Sequence, residues 1–262
     1  MNEVQPTRPQ VAFHIPGGEV IAGPVPLVVG VLSSIPHDLS TLLNNATCDV
    51  VELRVDQMRR EEDWLGTGRA VESAGLPVIV TIRSQSEGGG WKGSEETRLE
   101  LFRTAIHELS AVDVELRSDI ARSVAEAAKA SGKVCIVSCH DFEGTPPFTQ
   151  LERAAAEACR LGCIAKITTM IRTQGDREAL QQIVCHSWPV PVCVMGMGPM
   201  GTETRITFAA LGSCLTYGYL DKPSAPGQFS AVELVGKLRD RVASYKARSE
   251  SRRRRDSVPG PR

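Results

Sequence analysis

Eight short β-branched runs, each followed by a stretch that can coil into a helix, recur along this chain about every 20 to 35 residues, and no other feature narrows its fold so far. The runs are "PLVVGVLS" from Pro26, "DVVELRVD" from Asp49, "PVIVTIRS" from Pro77 and "AVDVELRS" from Ala111. Four more follow: "KVCIVSCHDF" from Lys133, "IAKITTM" from Ile164, "PVCVMGMG" from Pro191 and "SCLTYGYL" from Ser213. Strands that alternate with helices pair in parallel, and eight such units in 262 residues fit a closed barrel better than an open doubly wound sheet. The expected fold is α/β, a single (β/α)8 TIM barrel with disordered N- and C-terminal tails. Its parts read as a lead segment over 1–24, the barrel domain over 25–247 and a disordered basic tail over 248–262. That tail, "RSESRRRRDSVPGPR", sets six Arg against two acids.

One residue sits oddly in this pattern. Lys166 interrupts "CIAKITTM", a run whose composition marks a buried strand, and a buried ammonium is costly. Either it is paired and structural, or burial makes its neutral amine available as a nucleophile. A second charged pattern is the echo between "VELRVD" at 51–56 and "VELRSD" at 114–119, two β/α units apart. Alternate strands of a barrel fill the same interior layer, so the echo predicts Glu52 and Glu115 at similar heights. Within the first copy Glu52, Arg54 and Asp56 share one face of the strand. An interior ion-pair network and a substrate site both account for them.

The active site of a β/α barrel forms at the C-terminal ends of its strands. Arg54 and Asp56 fall there on the second strand, Arg83 and the nearby Glu87 on the third, His140 on the fifth, and Lys166 lies in the sixth. Met195 and Met197 precede a Gly-containing loop that leads to Arg205. An amine in an apolar barrel can add to a ketone and form an iminium, an electron sink for removing a neighbouring proton. Of the five His, only His140 ends a strand; His37 opens the first helical segment, and His107 and His186 lie in outer helices. Glu87 then orients the imidazole and favours its protonated form. Arg54, Arg83 and Arg205 supply planar forks suited to a carboxylate or hydroxyls, so the expected substrate is a polar, anionic carbonyl compound.

Other classes fit less well. The formal charge of -1 offers no field for nucleic acid or an anionic membrane, and no apolar run approaches a membrane span. Eight scattered Cys read as reduced thiols, which points to the cytoplasm. Cys159 and Cys163 are four apart but no second ligand pair follows, so no metal is expected. "GMGPMG" at 196–201 matches a dinucleotide fingerprint, but it falls on the seventh strand of a regular series and no second mononucleotide-binding half follows. "EGGGWKGS" reads as a mobile loop able to close over a site.

The stretches "VELRVD", "TIRSQSEGGG", "VSCHDFEGTP", "AKITTM", "MGMGPMGTETRI" and "KPSAPGQF" together resemble the type I 3-dehydroquinate dehydratases, in that family's order and over nearly the whole chain. The resemblance implies that Lys166 forms an imine with the ketone of 3-dehydroquinate, that His140 is the general acid/base and that Glu87 orients it. It further implies substrate contacts from Glu52, Arg54, Arg83, Arg205, Ser224 and Gln228. The implied reaction loses water to give 3-dehydroshikimate, a step of the shikimate pathway, with no cofactor and no metal, and a homodimer is the implied assembly. Thr204 stands where the family usually has Ser, the first strand lacks a serine common near its middle, and Cys139 replaces a bulkier neighbour of the His. Two readings of the Lys stay open beside this one: a class I aldolase-like barrel that breaks a carbon–carbon bond, and a non-catalytic barrel that holds Lys166 in an ion pair.

Overall fold

A computed structural model of the chain describes residues 8–40, 47–223 and 228–256. Eight parallel strands form one sheet: β3 (Leu27–Leu32), β4 (Val50–Arg54), β5 (Val78–Thr81), β6 (Ala111–Glu115), β7 (Val134–Asp141), β8 (Ile164–Met170), β9 (Val192–Met197) and β10 (Leu215–Tyr219). They run in the order β10-β3-β4-β5-β6-β7-β8-β9, so every crossover joins neighbours and the sheet curls into a (β/α)8 TIM barrel. Outside it lie α1 (Trp64–Ser73), α2 (Glu95–Glu108), α3 (Ala121–Ala130), α4 (Phe148–Leu161), α5 (Gln174–Cys185), α6 (Thr204–Leu211), α7 (Ala231–Arg241) and α8 (Ala243–Asp256). Local sequence sets where several of these start. Thr173 with Asp176 and Ser230 with Glu233 make reciprocal capping boxes at α5 and α7, and Ser94 caps α2 through the Thr97 amide.

The closing seam differs from the other seven. Between β9 and β10 the backbone contributes the Cys214 N–H to the Val192 carbonyl at 2.8 Å, and side chains do much of the rest. Ser213 Oγ accepts the Val194 amide at 2.9 Å across the seam, while at the start of α6 Thr204 Oγ1 accepts the Gly196 amide of β9 at 2.9 Å and donates to the Gly201 carbonyl. The glycines of "GMGPMG" serve this packing, since a Cβ on Gly201 would come within 2.4 Å of the Gly196 backbone.

Parts of both terminal segments carry regular structure. Residues Val11–Ile15 and Gly18–Ala22 form an antiparallel hairpin, β1 and β2, turned by Pro16 and by Gly17 at φ 89°, the residue pair a type II turn favours. Alternation along it buries Phe13 and Ala22 against Leu27, Val134 and Leu215, so the hairpin plugs the N-terminal end of the barrel. At the other terminus α8 covers residues placed in the disordered tail. It is anchored by Tyr245, whose hydroxyl donates to Asp49 Oδ2 at 2.8 Å, and by Arg248, whose Nη2 lies 2.9 Å from the same oxygen. The first helical segment expected at His37 is also absent among the described residues: residues 33–40 and 47–49 carry no helix.

Phe13 is fully buried under the barrel floor. Phe13→Ala is expected to lower unfolding free energy by about 3–5 kcal/mol in urea titration while leaving the catalytic constants of the folded protein unchanged.

Candidate active site

Strand register determines which side chains meet inside the barrel. Tyr217 pairs with Val29 and Val29 with Val50; Glu52 pairs with Ile79, Thr81 with Asp113, Asp113 with Ile136, and Ser138 with Lys166. A barrel of this kind steps forward about one residue per strand, so alternate strands contribute to common layers. Val50, Ala111, Ile164 and Leu215 fill the lowest, Val29, Ile79, Ile136 and Cys193 the next, and all eight are buried. The third layer changes character. It holds Glu52, Asp113, Lys166 and Tyr217, three acid or base side chains and a phenol buried within an apolar wall.

Lys166, 4% exposed, donates from Nζ to Asp113 Oδ2 at 2.8 Å, stands 3.9 Å from Glu52 Oε1 and lies over the Tyr217 ring at 4.2 Å from its centroid. Asp113 is shared. Its Oδ1 accepts Arg83 Nη2 at 2.7 Å and Ser138 Oγ at 2.6 Å. Burial alone would raise the Asp113 carboxyl, but the Arg83 and Lys166 cations outweigh it and hold the group well below the usual carboxylate range. Burial likewise opposes charge on Arg83, and Asp113, Glu115 and Glu52 more than reverse this. Glu52 Oε1 accepts Thr81 Oγ1 at 2.7 Å. The echo therefore misplaced its partner: Asp113, not Glu115, shares the layer of Glu52. Glu115 sits two layers higher, where it accepts the Ser84 amide at 2.7 Å and pairs with the fully buried Arg98 at 3.0 Å.

Above this layer, β7 presents His140 to the loop that follows β5. Glu87 Oε2 accepts the His140 backbone amide and meets Nδ1, both at 2.9 Å. Burial, with Arg83 and Lys166 nearby, holds the imidazole well below its ordinary range, so the free site keeps it neutral. The imidazolium that Glu87 was expected to favour is thus opposed by burial and by the two cations. Glu87 itself is pushed up to about 7 by burial, partly offset by Arg83 and the His140 amide. The loop carrying Glu87 is packed down: Trp91 N–H donates to the Arg83 carbonyl at 3.1 Å, Gly90 N–H to Asp56 Oδ2 at 2.9 Å, and a Cβ on Gly89 would lie 2.0 Å from the Arg83 oxygen.

Arg54 forks onto Asp56, Nε to Oδ1 at 2.9 Å and Nη2 to Oδ2 at 2.8 Å, from the strand face both share with Glu52. Arg205 enters from the first turn of α6. Its Nε donates to the Tyr217 carbonyl and its Nη1 to the Gly196 carbonyl, both at 3.3 Å, and burial lowers its proton affinity. Among the described residues its hydrogen bonds go to neutral carbonyls, which suits it to receive an anion. Gln228 is half-buried, and Ser224 lies outside the described residues.

The structure thus gathers Lys166, His140, Glu87, Glu52, Arg54, Arg83 and Arg205 at one end of the barrel, and adds residues the sequence reading had not singled out: Asp113, Ser138, Thr81 and Tyr217. The alternation in "AVDVELRS" was the available signal, since Asp113 and Glu115 share a parity and so an inward face. Among the described residues no cluster of three His, Cys, Asp or Glu side chains is placed to hold a metal ion, and no helix is long and apolar enough to cross a membrane.

Residues 24–242 match the type I 3-dehydroquinase family. A 3-dehydroquinate dehydratase of Methanosarcina barkeri is 36% identical over 220 residues, covering 79% of this chain and 91% of its own. The crystal structure of the 3-dehydroquinate dehydratase from Aquifex aeolicus superimposes with a TM-score of 0.71 at 32% identity, over 82% of this chain and 98% of that one. That from Geobacillus kaustophilus gives 0.74 at 26% identity, over 87% and 95%. The chain belongs to the type I 3-dehydroquinase family.

Removing the shared carboxylate charge leaves two buried cations short of a partner. Asp113→Asn is expected to cost about 3–5 kcal/mol of unfolding free energy, measured in denaturant, whereas Asp56→Asn at the rim costs less.

Proposed function

We propose that the chain is a 3-dehydroquinate dehydratase that works through an imine at Lys166. The carrying observation is the placement of Lys166 Nζ between Asp113, Glu52 and the Tyr217 ring at the barrel's catalytic end, one strand from a His whose ring is set by Glu87. The amine adds to the substrate ketone, the carbinolamine loses water, and the nitrogen becomes an iminium that acidifies the adjacent carbon. The neutral His140 takes that proton. With Nδ1–H donated to ionised Glu87, Nε2 keeps the lone pair this requires. The imidazolium then returns the proton to the departing hydroxyl, and water hydrolyses the iminium to free the enone and the amine.

Arg205, whose hydrogen bonds among the described residues go to carbonyls, is the proposed anchor for the substrate carboxylate. Glu52, Arg54, Arg83, Ser224 and Gln228 are proposed substrate contacts on the strength of the family resemblance. The same resemblance supports a homodimer, and the eight free thiols support a cytoplasmic setting. The Asp113 contact at 2.8 Å also favours a second reading, in which Lys166 is a structural ion-pair member. Borohydride added with 3-dehydroquinate separates the two. Mass mapping is expected to find a reduced adduct on Lys166, and unmodified protein overturns the imine reading.

Proton bookkeeping gives a pH dependence. Below about 7 Glu87 becomes protonated and donates to Nδ1, which moves the imidazole hydrogen to Nε2 and removes the base. The kcat/KM profile is expected to fall as pH drops through about 7, and Glu87→Gln to lose that limb along with roughly 10² or more of turnover.

A further inference from the structure

Tyr217 takes no part in the proton transfers above, yet it touches the two groups proposed to hold the substrate. Its ring centroid lies 4.2 Å from Lys166 Nζ, and its carbonyl accepts Arg205 Nε at 3.3 Å. It stands in the same barrel layer as Glu52, Asp113 and Lys166, facing the Lys from β10 while the two carboxylates face it from β4 and β6. Its hydroxyl is buried without a hydrogen-bond partner among the described residues. Burying an unpartnered hydroxyl opposes folding, and a phenylalanine would fill the same ring space without it. The contact with the nitrogen is made by the ring face and not by the hydroxyl, so a phenylalanine would keep it.

The nature of that contact matters for imine chemistry. Asp113 and Glu52 attract a cationic nitrogen, but a carboxylate can also take a proton. An aromatic face attracts the cation through its quadrupole and accepts no proton, so it favours the charged form of whatever nitrogen it covers. The Lys nitrogen is cationic as ammonium before addition and again as iminium after water leaves; between them lies the neutral carbinolamine. We infer that Tyr217 is a positioning residue for Lys166 whose ring face holds the nitrogen against β10 and stabilises the iminium relative to the carbinolamine. This inference rests on the imine reading.

The test compares the parent with Tyr217→Phe, Tyr217→Leu and a series carrying mono-, di- and trifluorinated phenylalanine at 217, which keeps ring shape while draining the π face. The readouts are kcat and the amount of borohydride-trapped Lys166 adduct at fixed 3-dehydroquinate. Tyr217→Phe is expected to stay within about threefold of the parent, because the ring face is kept. Tyr217→Leu is expected to trap roughly tenfold less adduct, and the fluorinated series to decline stepwise with each fluorine. If Tyr217→Phe is as damaging as Tyr217→Leu, the hydroxyl is the working group and the inference is wrong. It is equally overturned if kcat and adduct stay level across the fluorinated proteins, which retain the packing of the ring whether or not the leucine variant folds. Absence of adduct in the parent sinks the imine reading, and the inference with it; adduct in the parent beside a flat fluorine series sinks the inference alone.

Discussion

The carboxylate of Asp113 is the contact on which the site is built. Its two oxygens receive Arg83 and Ser138 on one side and Lys166 on the other, which satisfies two cations that could not otherwise stay buried. The consequences travel along the chain from Arg83. Its backbone carbonyl takes the Trp91 amide and crowds Gly89, so the loop between them folds back over the barrel. That loop carries Glu87, and Glu87 sets both the backbone and the ring of His140. His140 is therefore placed by a relay of contacts that begins at one buried carboxylate on the neighbouring strand β6 and runs through the loop after β5.

The barrel divides its work by height. The two lowest layers, with Phe13 and Ala22 of the hairpin beneath them, are apolar and buried, and they supply hydrophobic stability without charged groups to satisfy. Charge appears only from the third layer upward, where each buried group needs a partner and nearly all the partners come from other strands. Arg98 shows how far this reaches. It is wholly buried on α2, outside the barrel, and supports Glu115 through the wall while also donating to the Ile82 carbonyl and Ser118.

Strand periodicity made the barrel legible, and strand ends made most of the site legible. Lys166 and His140 could be read because each breaks or closes an apolar run. Asp113 could not be read as easily. It sits inside a strand whose resemblance to an earlier one drew attention to Glu115, and only the stagger between strands decides which of the two lies level with Glu52. Tyr217 looks like an ordinary core aromatic in "SCLTYGYL", since a sequence does not show what a ring faces. The hairpin was hidden for a different reason: only Phe13 and Ala22 of its residues are deeply buried, so its alternation is weak against a polar background, although the Pro16–Gly17 turn was in plain view. Glu87 does meet His140, but the charge state of that imidazole depends on burial and on two cations brought in from other strands.

The seam between β9 and β10 gives Arg205 two masters. Elsewhere the cylinder is held by peptide groups, which are indifferent to residue identity; here a guanidinium spans from the Gly196 carbonyl to that of Tyr217. A lysine at this position would present one nitrogen where the arginine presents two in a fixed plane. If Arg205 anchors the substrate as proposed, closing the cylinder and holding a ligand at its mouth constrain the same side chain, and over evolutionary time neither demand can relax without the other giving way.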